Sequence, residues 1–382
     1  MATDNENRIL NVPNLRFPEF SEEWKKTKIG DITSKVGSGV TPRGGSAVYK
    51  TAGHLFIRSQ NVGNGCFLLD DVAYIDETTH KRQINTELKE GDVLLNITGA
   101  SIGRSAVVDS SVAGGNVNQH VCIIRLQNNI SPNFICNYLL SYGGQKQIDS
   151  FQAGGNREGL NFEQIRSIKF SIPSFEEQCK ISTLLSLLDR RIATQNKIIE
   201  QLESLIKGLC QKLTQQDNPN TTLNECLKCY SSTLQESSVL EVGDFPVYGA
   251  TGVCGYTDVP EVDGDSILII KDGASVGVTY YASGKYSAIG TLNRLATKDG
   301  YSLRYLYYCL KVFNFAPYRT GLAIPHIYFR DYGKAQIWCP PIEEQNRIAN
   351  ALEKVEQKIA TEKSLLEQLY SQKRFLLQAM FI

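Results

Sequence analysis

The chain has 382 residues, of which 42% are hydrophobic, 21% charged and 9% aromatic, a composition typical of a folded protein with more than one domain. Its 40 Lys and Arg residues balance its 40 Asp and Glu residues, so bulk charge cannot attract DNA or another polyanion. No apolar run approaches the roughly 20 residues that cross a bilayer, so we expect no signal peptide and no membrane partner, and the ten scattered cysteines favour a cytoplasmic location.

Residues 1–19 are expected to form an N-terminal arm. Residues 20–172 predict a strand-rich domain, because short apolar runs alternate with turns rich in Gly, Ser and Asn. Residues 20–170 carry 16 Lys and Arg against 14 Asp and Glu, so a nucleic-acid surface here would be a local patch. Arg, Asn and Gln read bases, whereas Lys, Ser and Thr hold phosphates. On residue type, the candidate contacts of this domain are Arg43, Lys50, Arg58, Ser59, Gln60, Asn61, Asn118, Gln119, His120, Asn156 and Arg157.

Residues 173–216 predict a long helix. Pro173 stands just before the apolar-periodic segment, and Glu176 and Glu177 fall in the first turn, where they complement the positive end of the helix dipole. Apolar residues then recur in alternating steps of four and three, which is the heptad pattern of a coiled-coil seam. The apolar seam positions are Ile181, Leu185, Leu188, Ile192, Ile199, Leu202, Ile206 and Leu209, with the polar Gln195 among them.

Residues 217–339 predict a second strand-rich domain that is similar to the first in layout and poor in identity. The segment Gly99–Gly103 (Gly-Ala-Ser-Ile-Gly) corresponds to Gly273–Gly277 (Gly-Ala-Ser-Val-Gly) in the second domain. Both are interpreted as turns that let the backbone approach a partner. Residues 220–338 carry 10 Lys and Arg against 11 Asp and Glu, which disfavours a large basic cleft. The candidate contacts here are Tyr248, Tyr256, Lys271, Ser275, Lys285, Asn293, Arg294, Arg319 and His326.

Residues 340–382 repeat the first long helix. The segment Pro173–Gln178 returns as Pro340–Gln345, an offset of 167 residues, and the match continues without a gap along both helices. Duplication is the simplest cause. The second seam consists of Ile348, Leu352, Val355, Ile359, Leu366, Leu369 and Leu376, with Glu362 at the place of Gln195.

The strict 3.5-residue period implies a left-handed supercoil with a partner helix, and the nearest available partner is the other copy. At 1.5 Å per residue each seam is roughly 50 Å long, about one and a half turns of duplex DNA, so the pair could act as a ruler. A plain core helix of a bundle is the alternative, but such helices rarely keep a heptad over this length.

Catalytic signatures are missing from the sequence. There is no Asn/Asp-Pro-Pro-aromatic motif to hold a flipped base and no Gly-x4-Gly-Lys-Ser/Thr loop for a nucleotide. A nuclease interpretation would use Glu87 and Lys89 with Asp76 or Asp92, a combination common on solvated surfaces. Cys226 and Cys229 have zinc-like spacing but lack a second ligand pair nearby, so we expect no metal site and no catalytic residue.

Three features together resemble the specificity subunit of type I restriction-modification enzymes, over almost the whole chain. They are the opening Pro13–Phe20 followed by Trp24, the Pro-x-x-Glu-Glu-Gln helix entries Pro173–Gln178 and Pro340–Gln345, and the order domain, helix, domain, helix. Each motif alone is weak, and the combination is specific.

The resemblance implies a function that periodicity cannot supply. In that family each target-recognition domain reads one half of a split double-stranded DNA site, and the two helices form an antiparallel coiled coil that sets the spacer. Two methyltransferase subunits dock on this assembly, and motor-nuclease subunits join for restriction. The chain itself would bind no cofactor, while S-adenosylmethionine, ATP and Mg would be used by the partner subunits.

We therefore expect an α+β fold: two similar strand-rich target-recognition domains separated by two long helices that form an antiparallel coiled coil, related by a pseudo-twofold internal repeat. The expected function is DNA sequence recognition without catalysis. Two alternatives stay open: a coiled-coil structural adapter whose two domains bind protein or sugar, and a solitary nuclease.

Overall fold

The computed structural model describes residues 10–152, 159–321 and 324–382. It divides into two compact units, the first made of the chain up to Gln195 together with Leu365–Ile382, and the second of Asn196–Ser364. Each unit therefore contains one strand-rich domain and a portion of both long helices. In the described part of the chain, no helix combines the length and apolar character needed to span a bilayer.

The first unit begins with a domain of short strands and short helices. Its strands are β1 (Lys25–Lys28), β2 (Thr33–Ser38), β3 (His54–Ile57), β4 (Ala73–Ile75), β5 (Val93–Asn96), β6 (Ser105–Val107), β7 (Asn116–Val117), β8 (Val121–Leu126) and β9 (Lys169–Ile172). Its α-helices are α1 (Glu77–Arg82), α2 (Pro132–Leu140), α3 (Tyr142–Gln152) and α4 (Phe162–Ser167), and 3-10 helices span Ile29–Ile32, Gly45–Val48, Ser59–Asn61, Ile84–Thr86 and Gly99–Ser101. The chain then enters the long helix α5 (Phe175–Thr214).

The second unit repeats this plan. Its strands are β10 (Thr221–Thr222), β11 (Leu227–Ser231), β12 (Phe245–Gly249), β13 (Gly252–Thr257), β14 (Val262–Asp263), β15 (Ser266–Ile270), β16 (Thr279–Ala282), β17 (Lys285–Ala288), β18 (Leu292–Thr297) and β19 (Gln336–Ile337). Its shorter α-helices are α6 (Leu223–Cys226), α7 (Leu303–Lys311) and α8 (Phe329–Tyr332), and 3-10 helices span Glu236–Ser238 and Ala316–Tyr318. The second long helix is α9 (Ile342–Ala379).

The two domains share one sheet topology. A four-stranded antiparallel sheet has the order β2-β8-β5-β6 in the first domain and β11-β18-β15-β16 in the second. A second sheet has three strands in the first domain, β4-β3-β7, and four in the second, β13-β12-β17-β14. In both, a central strand runs parallel to its neighbour: β3 to β7, and β12 to β17. A two-stranded pair closes each domain, β1 with β9 and β10 with β19. The predicted α+β class and the internal repeat are confirmed.

Buried strands determine where each core lies. All residues of β5 and of β15 are buried, as expected for apolar strands covered on both faces. The larger core of the first unit combines this sheet with α2 and with the long helices, and that of the second unit does the same with α7.

Both long helices contribute seam residues to the core of each unit. In the first unit Ile181, Leu185, Leu188 and Ile192 of α5 share a core with Leu369 and Leu376 of α9, and Leu366 packs against it. In the second unit Ile206 of α5 shares a core with Ile348, Leu352 and Ile359 of α9, while Leu202, Leu209 and Val355 pack against it. Ile199 is also buried. The start of one helix thus packs with the end of the other within each unit, which is the contact pattern of antiparallel helices; a continuous coiled coil stays a prediction.

The N-terminal arm packs on the end of α9 within the first unit. The main-chain N–H of Leu15 donates to the carbonyl of Ala379 (2.9 Å), and that of Ser171 donates to the carbonyl of Ile382 (3.3 Å). Trp24 packs edge-on against Phe134, which also contacts Phe381. The aromatic cluster ties the start of the first domain, α2 and the end of the chain after α9 into one core.

Candidate DNA interface

A glycine-rich turn follows the buried central strand of each domain: Gly99–Gly103 after β5, and Gly273–Gly277 after β15. The hydrogen bonds of the two turns correspond one to one. Ile102 N–H donates to the Gly99 carbonyl (3.0 Å) and Val276 N–H to the Gly273 carbonyl (3.2 Å). The turn is therefore a shared structural element, with Gly99 and Ala100 exposed in the first copy and Ala274 and Ser275 exposed in the second.

Glycine is required at both ends of the turn. The φ angles of Gly99 and Gly273 are +71° and +100°, in a region that L side chains rarely adopt. Open space surrounds both positions, so the backbone is accessible to a ligand. At the far end a Cβ on Gly103 would lie 2.6 Å from the Gln145 side chain, and one on Gly277 would lie 2.8 Å from the Phe315 ring.

In the first domain, a series of hydrogen bonds between polar side chains lies beside this turn. His120 Nδ1 and Thr98 Oγ1 are 2.6 Å apart, and Thr98 directly precedes Gly99. Gln119 Oε1 accepts from the main-chain N–H of Thr41 (3.1 Å) and from its hydroxyl, and Gln119 Nε2 lies 3.1 Å from His120 Nε2. Asn118 is buried, and its Oδ1 accepts from the His120 N–H (3.1 Å). Gln119 and His120 are thus oriented from within the domain.

The segment after β3 lies next to these residues, because Asn118 N–H donates to the Ile57 carbonyl (3.1 Å). Arg58 and Gln60 both contact the exposed carboxylate of Asp71, at 3.3 Å and 2.7 Å. Asn61 is only 1% exposed and its amide donates to two main-chain carbonyls, so its hydrogen-bonding capacity is used inside the domain.

The remaining predicted DNA contacts of the first domain lie in other segments or outside the described residues. Ser59 accepts, through its carbonyl, a hydrogen bond from the Asn96 amide (2.8 Å). Lys50 pairs through its backbone with Tyr74 beside β4, and Arg43 is exposed in the loop after β2. Asn156 and Arg157 lie outside the described residues, although Gly159 bridges Thr98 of the turn segment.

In the second domain four predicted residues gather at the corresponding turn. Arg319 Nη2 donates to the Val276 carbonyl (3.1 Å), and Ser275 is exposed on the turn itself. The Lys271 carbonyl accepts from the Ile327 N–H (3.0 Å), which places Lys271 beside His326. His326 Nδ1 lies 2.6 Å from the Asp272 carboxylate, and Asp272 directly precedes Gly273.

The other predicted residues of the second domain are spread over its sheets. The Arg294 guanidinium lies 4.0 Å from the centre of the Tyr230 ring, and the Asn293 amide is buried, accepting from Ser231 (3.0 Å). Tyr248 packs edge-on against Tyr286, Tyr256 is exposed on β13, and Lys285 is exposed on β17. These five residues do not contact the turn in the structure.

Sequence reasoning missed the residues that hold the turn-side histidines. Thr98 and Asp272 occupy the same place, one residue before the first turn glycine, and each contacts a histidine. A comparison of the two repeat copies position by position could have found them, since both are polar residues two positions after a buried strand.

Gln178 and Gln345 of the Pro-x-x-Glu-Glu-Gln motifs were also missed as functional groups. Gln178 Oε1 accepts from the main-chain N–H of Ser131 at the start of α2 (2.9 Å), and its Nε2 donates to the Pro173 carbonyl (3.1 Å). Gln345 makes the same pair of bonds, to Ser302 at the start of α7 (2.9 Å) and to Pro340 (2.8 Å). Each glutamine is 2% exposed, so each is a buried clamp between a long helix and its domain.

The residues of the nuclease hypothesis have structural partners. The Asp92 carboxylate accepts two hydrogen bonds from Arg125, both 2.7 Å, and this contact raises the pKa of Arg125. Asp76 accepts from the Thr79 N–H at the start of α1, which lowers the pKa of its carboxyl. Among the residues that the structure describes, no three His, Cys, Asp or Glu side chains are grouped to hold a metal ion.

The Cys226 and Cys229 spacing does not build a zinc site either. The Cys226 thiol lies 4.0 Å from that of Cys339, within the second core. Burial raises the pKa of the Cys229 thiol to about 11, so this group is protonated near neutral pH, whereas zinc binds the thiolate.

Comparison with known proteins identifies the family. The family model described as the type I restriction modification DNA specificity domain matches residues 21–204 and 227–371. The chain belongs to this family. In these specificity subunits DNA sequence specificity is the known role, and the subunits are not themselves catalytic. This assignment favours the first of the three hypotheses over the adapter and the nuclease.

Individual relatives are distant. A protein provisionally named type I restriction enzyme MjaX specificity subunit, from Methanocaldococcus jannaschii, is 25% identical over 208 residues, covering 53% of this chain and 48% of that protein. The chain spans about half or less of the length of the curated specificity subunits that it matches.

Solved structures extend the likeness over nearly the whole chain. The S subunit of a type I restriction-modification system from M. genitalium has a TM-score of 0.62 at 18% identity, with 97% of this chain and 99% of that chain covered. A chain from work on complex assembly and conformational transition of the type I R-M system has a TM-score of 0.57 at 16% identity, with 93% and 96% covered. Both likenesses support the fold of a specificity subunit.

Proposed function

We propose that this chain reads a bipartite site in double-stranded DNA, one half with residues 20–172 and the other with residues 217–339. The observation that carries the proposal is the repeated glycine-rich turn. It has the same hydrogen bonds in both domains and an accessible backbone, and each copy is surrounded by a different set of polar side chains. Two domains that recognise different DNA sequences need a common scaffold and different polar side chains on it.

The groups around the turns have the chemistry of DNA recognition. Gln119 offers an amide that can pair with adenine, and His120 and His326 offer ring nitrogens. Lys271 and Arg319 supply positive charge for phosphates, and the open space beside Gly99 and Gly273 lets the duplex approach closely. Because the net charge is close to zero, we expect phosphate attraction from these local groups alone.

We assign the other described residues by their burial, and those that are exposed or half-buried remain proposed contacts to phosphates or bases: Arg43, Lys50, Arg58, Ser59, Gln60, Ser275, Lys285, Arg294 and Tyr248. Asn156 and Arg157, which lie outside the described residues, remain proposed contacts on residue type alone. Asn61, Asn118 and Asn293 have buried amides, so we propose that they orient the neighbouring reading residues and do not touch bases.

We propose further that α5 and α9 form an antiparallel coiled coil that sets the spacer between the two half-sites. The support is the seam itself, since residues of both helices share one core in each unit. A rise of 1.5 Å per residue makes one heptad about as long as three base pairs. Inserting one heptad at equivalent places in both helices should therefore lengthen the spacer by about three base pairs and leave the half-sites unchanged.

The partners follow from the family. We propose that two methyltransferase subunits bind this chain and that motor-nuclease subunits join them for restriction. S-adenosylmethionine, ATP and Mg would be used by those partners. One similar structure is described in terms of complex assembly of a type I R-M system, which supports an assembled state for this chain too.

Exchange of one domain tests the proposal directly. Residues 20–172 are replaced by the corresponding domain of a relative, and methylated sites are mapped in cells that carry the methyltransferase with either chain. We expect one half of the methylated site to change while the other half and the spacer stay the same. A change in both halves, or methylation that does not depend on this chain, would contradict independent reading.

A further inference from the structure

The second domain contains a long stretch with charge of one sign. Between Lys228 and Lys271 there is no Lys, Arg or His, but there are seven acidic residues. All seven are exposed, and they are Glu236, Glu241, Asp244, Asp258, Glu261, Asp263 and Asp265. Such a stretch produces a strongly negative surface on a chain whose overall charge is zero.

Large apolar side chains are exposed within the same stretch. Val242 is 84% exposed and Val259 is 78% exposed, and Leu240 and Tyr256 are exposed beside them. Single exposed hydrophobic residues are ordinary, whereas several together with a polar rim are typical of a binding surface.

Backbone contacts bring these residues together. Leu240 and Tyr256 exchange two main-chain hydrogen bonds (2.9 Å and 2.8 Å), so their side chains lie on one face at the outer side of β13. A Cβ on Gly255 would lie 2.6 Å from the Leu240 carbonyl, which shows how closely the two segments approach. A Cβ on Gly243 would lie 3.2 Å from the Asp258 carboxylate, so the chain after Val242 returns to the same place.

We call this surface the acidic edge and define it by seven exposed residues. They are Leu240, Glu241, Val242, Asp244, Tyr256, Asp258 and Val259. Within the described ranges, Glu241, Asp244 and Asp258 form no ion pair with Lys, Arg or His. Two basic residues of neighbouring strands have other contacts: Lys285 lies opposite Asp263 in the β14–β17 register with its ammonium 5.8 Å from the centre of the Phe245 ring, and the Arg294 guanidinium lies over Tyr230.

The acidic edge is a poor surface for DNA. Three exposed carboxylates would repel phosphates, and apolar valines offer nothing to a base edge apart from a thymine methyl group. Tyr256, which residue type alone suggested as a DNA contact, lies on this surface. A partner with Lys or Arg around apolar side chains would be complementary in both respects.

We propose that the acidic edge docks a protein partner whose contact surface is basic and apolar. Leu240, Val242, Tyr256 and Val259 form the apolar centre of the interface, and the carboxylates of Glu241, Asp244 and Asp258 pair with its Lys or Arg side chains. This surface is separate from the glycine-rich turn of the domain, and the proposal stands whether or not the domain reads DNA.

Charge reversal on the full chain tests the proposal with a defined probe. The probe is a random copolymer of lysine and phenylalanine, compared with polylysine, and affinity is measured at two salt concentrations. We expect the copolymer to bind more tightly than polylysine, and the triple change E241K/D244K/D258K to weaken its binding by about tenfold. The matched control reverses three exposed acids of the first domain, D70K/E90K/D149K, and should change binding by less than about twofold.

Equal weakening by the two triple variants would overturn the proposal, because binding would then report bulk charge. So would equal affinity for the two polymers, because the apolar centre would then contribute nothing. Both variants alter exposed residues only, and circular dichroism checks that they fold.

Cross-linking in cells supplies a second test. The photoreactive residue p-benzoylphenylalanine replaces Val242, and a control chain carries it at Leu69 of the first domain, which is also exposed. We expect a protease-sensitive cross-linked species at position 242 whose purified protein component loses affinity for the E241K/D244K/D258K chain. A nuclease-sensitive species, or none at position 242, would overturn the proposal.

Discussion

The two domains keep the same scaffold and differ in the charge that they carry on it. Both have one four-stranded sheet with the same strand order, a second sheet with a parallel strand pair, and the same turn after the buried strand β5 or β15. Residues 39–97 of the first domain contain six Lys and Arg and seven Asp and Glu, whereas residues 232–270 of the second contain no Lys or Arg and seven Asp and Glu. Buried strands and main-chain hydrogen bonds preserve the topology, while exposed residues are free to diverge.

The contacts between each long helix and its domain also include a part that is the same in both units and a part that differs. Gln178 and Gln345 make matching buried hydrogen bonds. The preceding glutamates do not match: Glu177 is 1% exposed and binds Arg16 of the N-terminal arm at 2.7 Å, whereas Glu344 is 29% exposed and pairs with Arg347 on its own helix. The difference arises because the N-terminal arm packs on the start of α5. It can be tested by mutation.

The largest expected effect comes from the glutamates. Glu177→Ala should lower the free energy of unfolding by about 3 kcal/mol, since it leaves the nearly buried Arg16 guanidinium without its carboxylate. Glu344→Ala should cost less than about 0.5 kcal/mol, because its partner is exposed to solvent. Urea titration of both variants measures the difference, and equal losses would show that the arm contributes nothing.

The glutamine clamps should behave alike. Gln178→Ala and Gln345→Ala each leave a buried N–H and a buried carbonyl without partners, which costs about 2 kcal/mol in either unit. Hydrogen exchange localises the effect: protection should fall at the start of α2 in the first variant and of α7 in the second. Gln178→Glu serves as a control of similar size that keeps the acceptor and loses the donor.

The turns are expected to differ in the half-site that they affect. Gly99→Ala and Gly273→Ala place a methyl group at a positive φ in open space, so each should cost about 1 kcal/mol of stability. If the turns face DNA, each should also weaken binding to duplexes that carry only its own half-site. Binding assays with the two half-sites measure this, and unchanged affinity in both would remove the turns from the proposed interface.

The smallest effect concerns acid stability. Asp76 accepts the Thr79 N–H at the start of α1, and Glu225 accepts the Thr222 N–H at the start of α6; both contacts lower the pKa of the carboxyl. A lowered pKa contributes stability that is present above the ordinary pKa of the group and lost as pH falls through the lowered one. Asp76→Asn and Glu225→Gln should therefore flatten the decline in melting temperature between about pH 5 and pH 3.

The long helices and the repeat could be predicted because their signal is long. Nine successive seam positions at heptad spacing in the first helix leave little choice of structure, and α5 and α9 begin within two residues of their prolines. The short strands could not be placed with the same accuracy. Strands such as β7, with two residues, are defined by partners distant in sequence, as Phe56 is for Asn116.

The main-chain turns of the candidate interface could be predicted from the sequence. Which side chains lie at the surface could be predicted less well. Two glycines four residues apart, repeated in both domains, indicate a turn that needs positive φ. Residue type alone could not separate Gln119, which lies at the surface, from Asn61, whose amide bonds are satisfied inside. The roles of Gln178 and Gln345 escaped because their partners are main-chain groups more than forty residues away.

The glutamine clamps bear on how new specificities arise. Each clamp recognises only a peptide N–H at the start of a helix, so it places no demand on the amino-acid identity of the domain that it holds. A foreign domain that presents a helix start in the same position would satisfy it at once. Genetic recombination could therefore exchange whole domains between relatives without first repairing the attachment, and if the domains read DNA as proposed, one exchange would change the target.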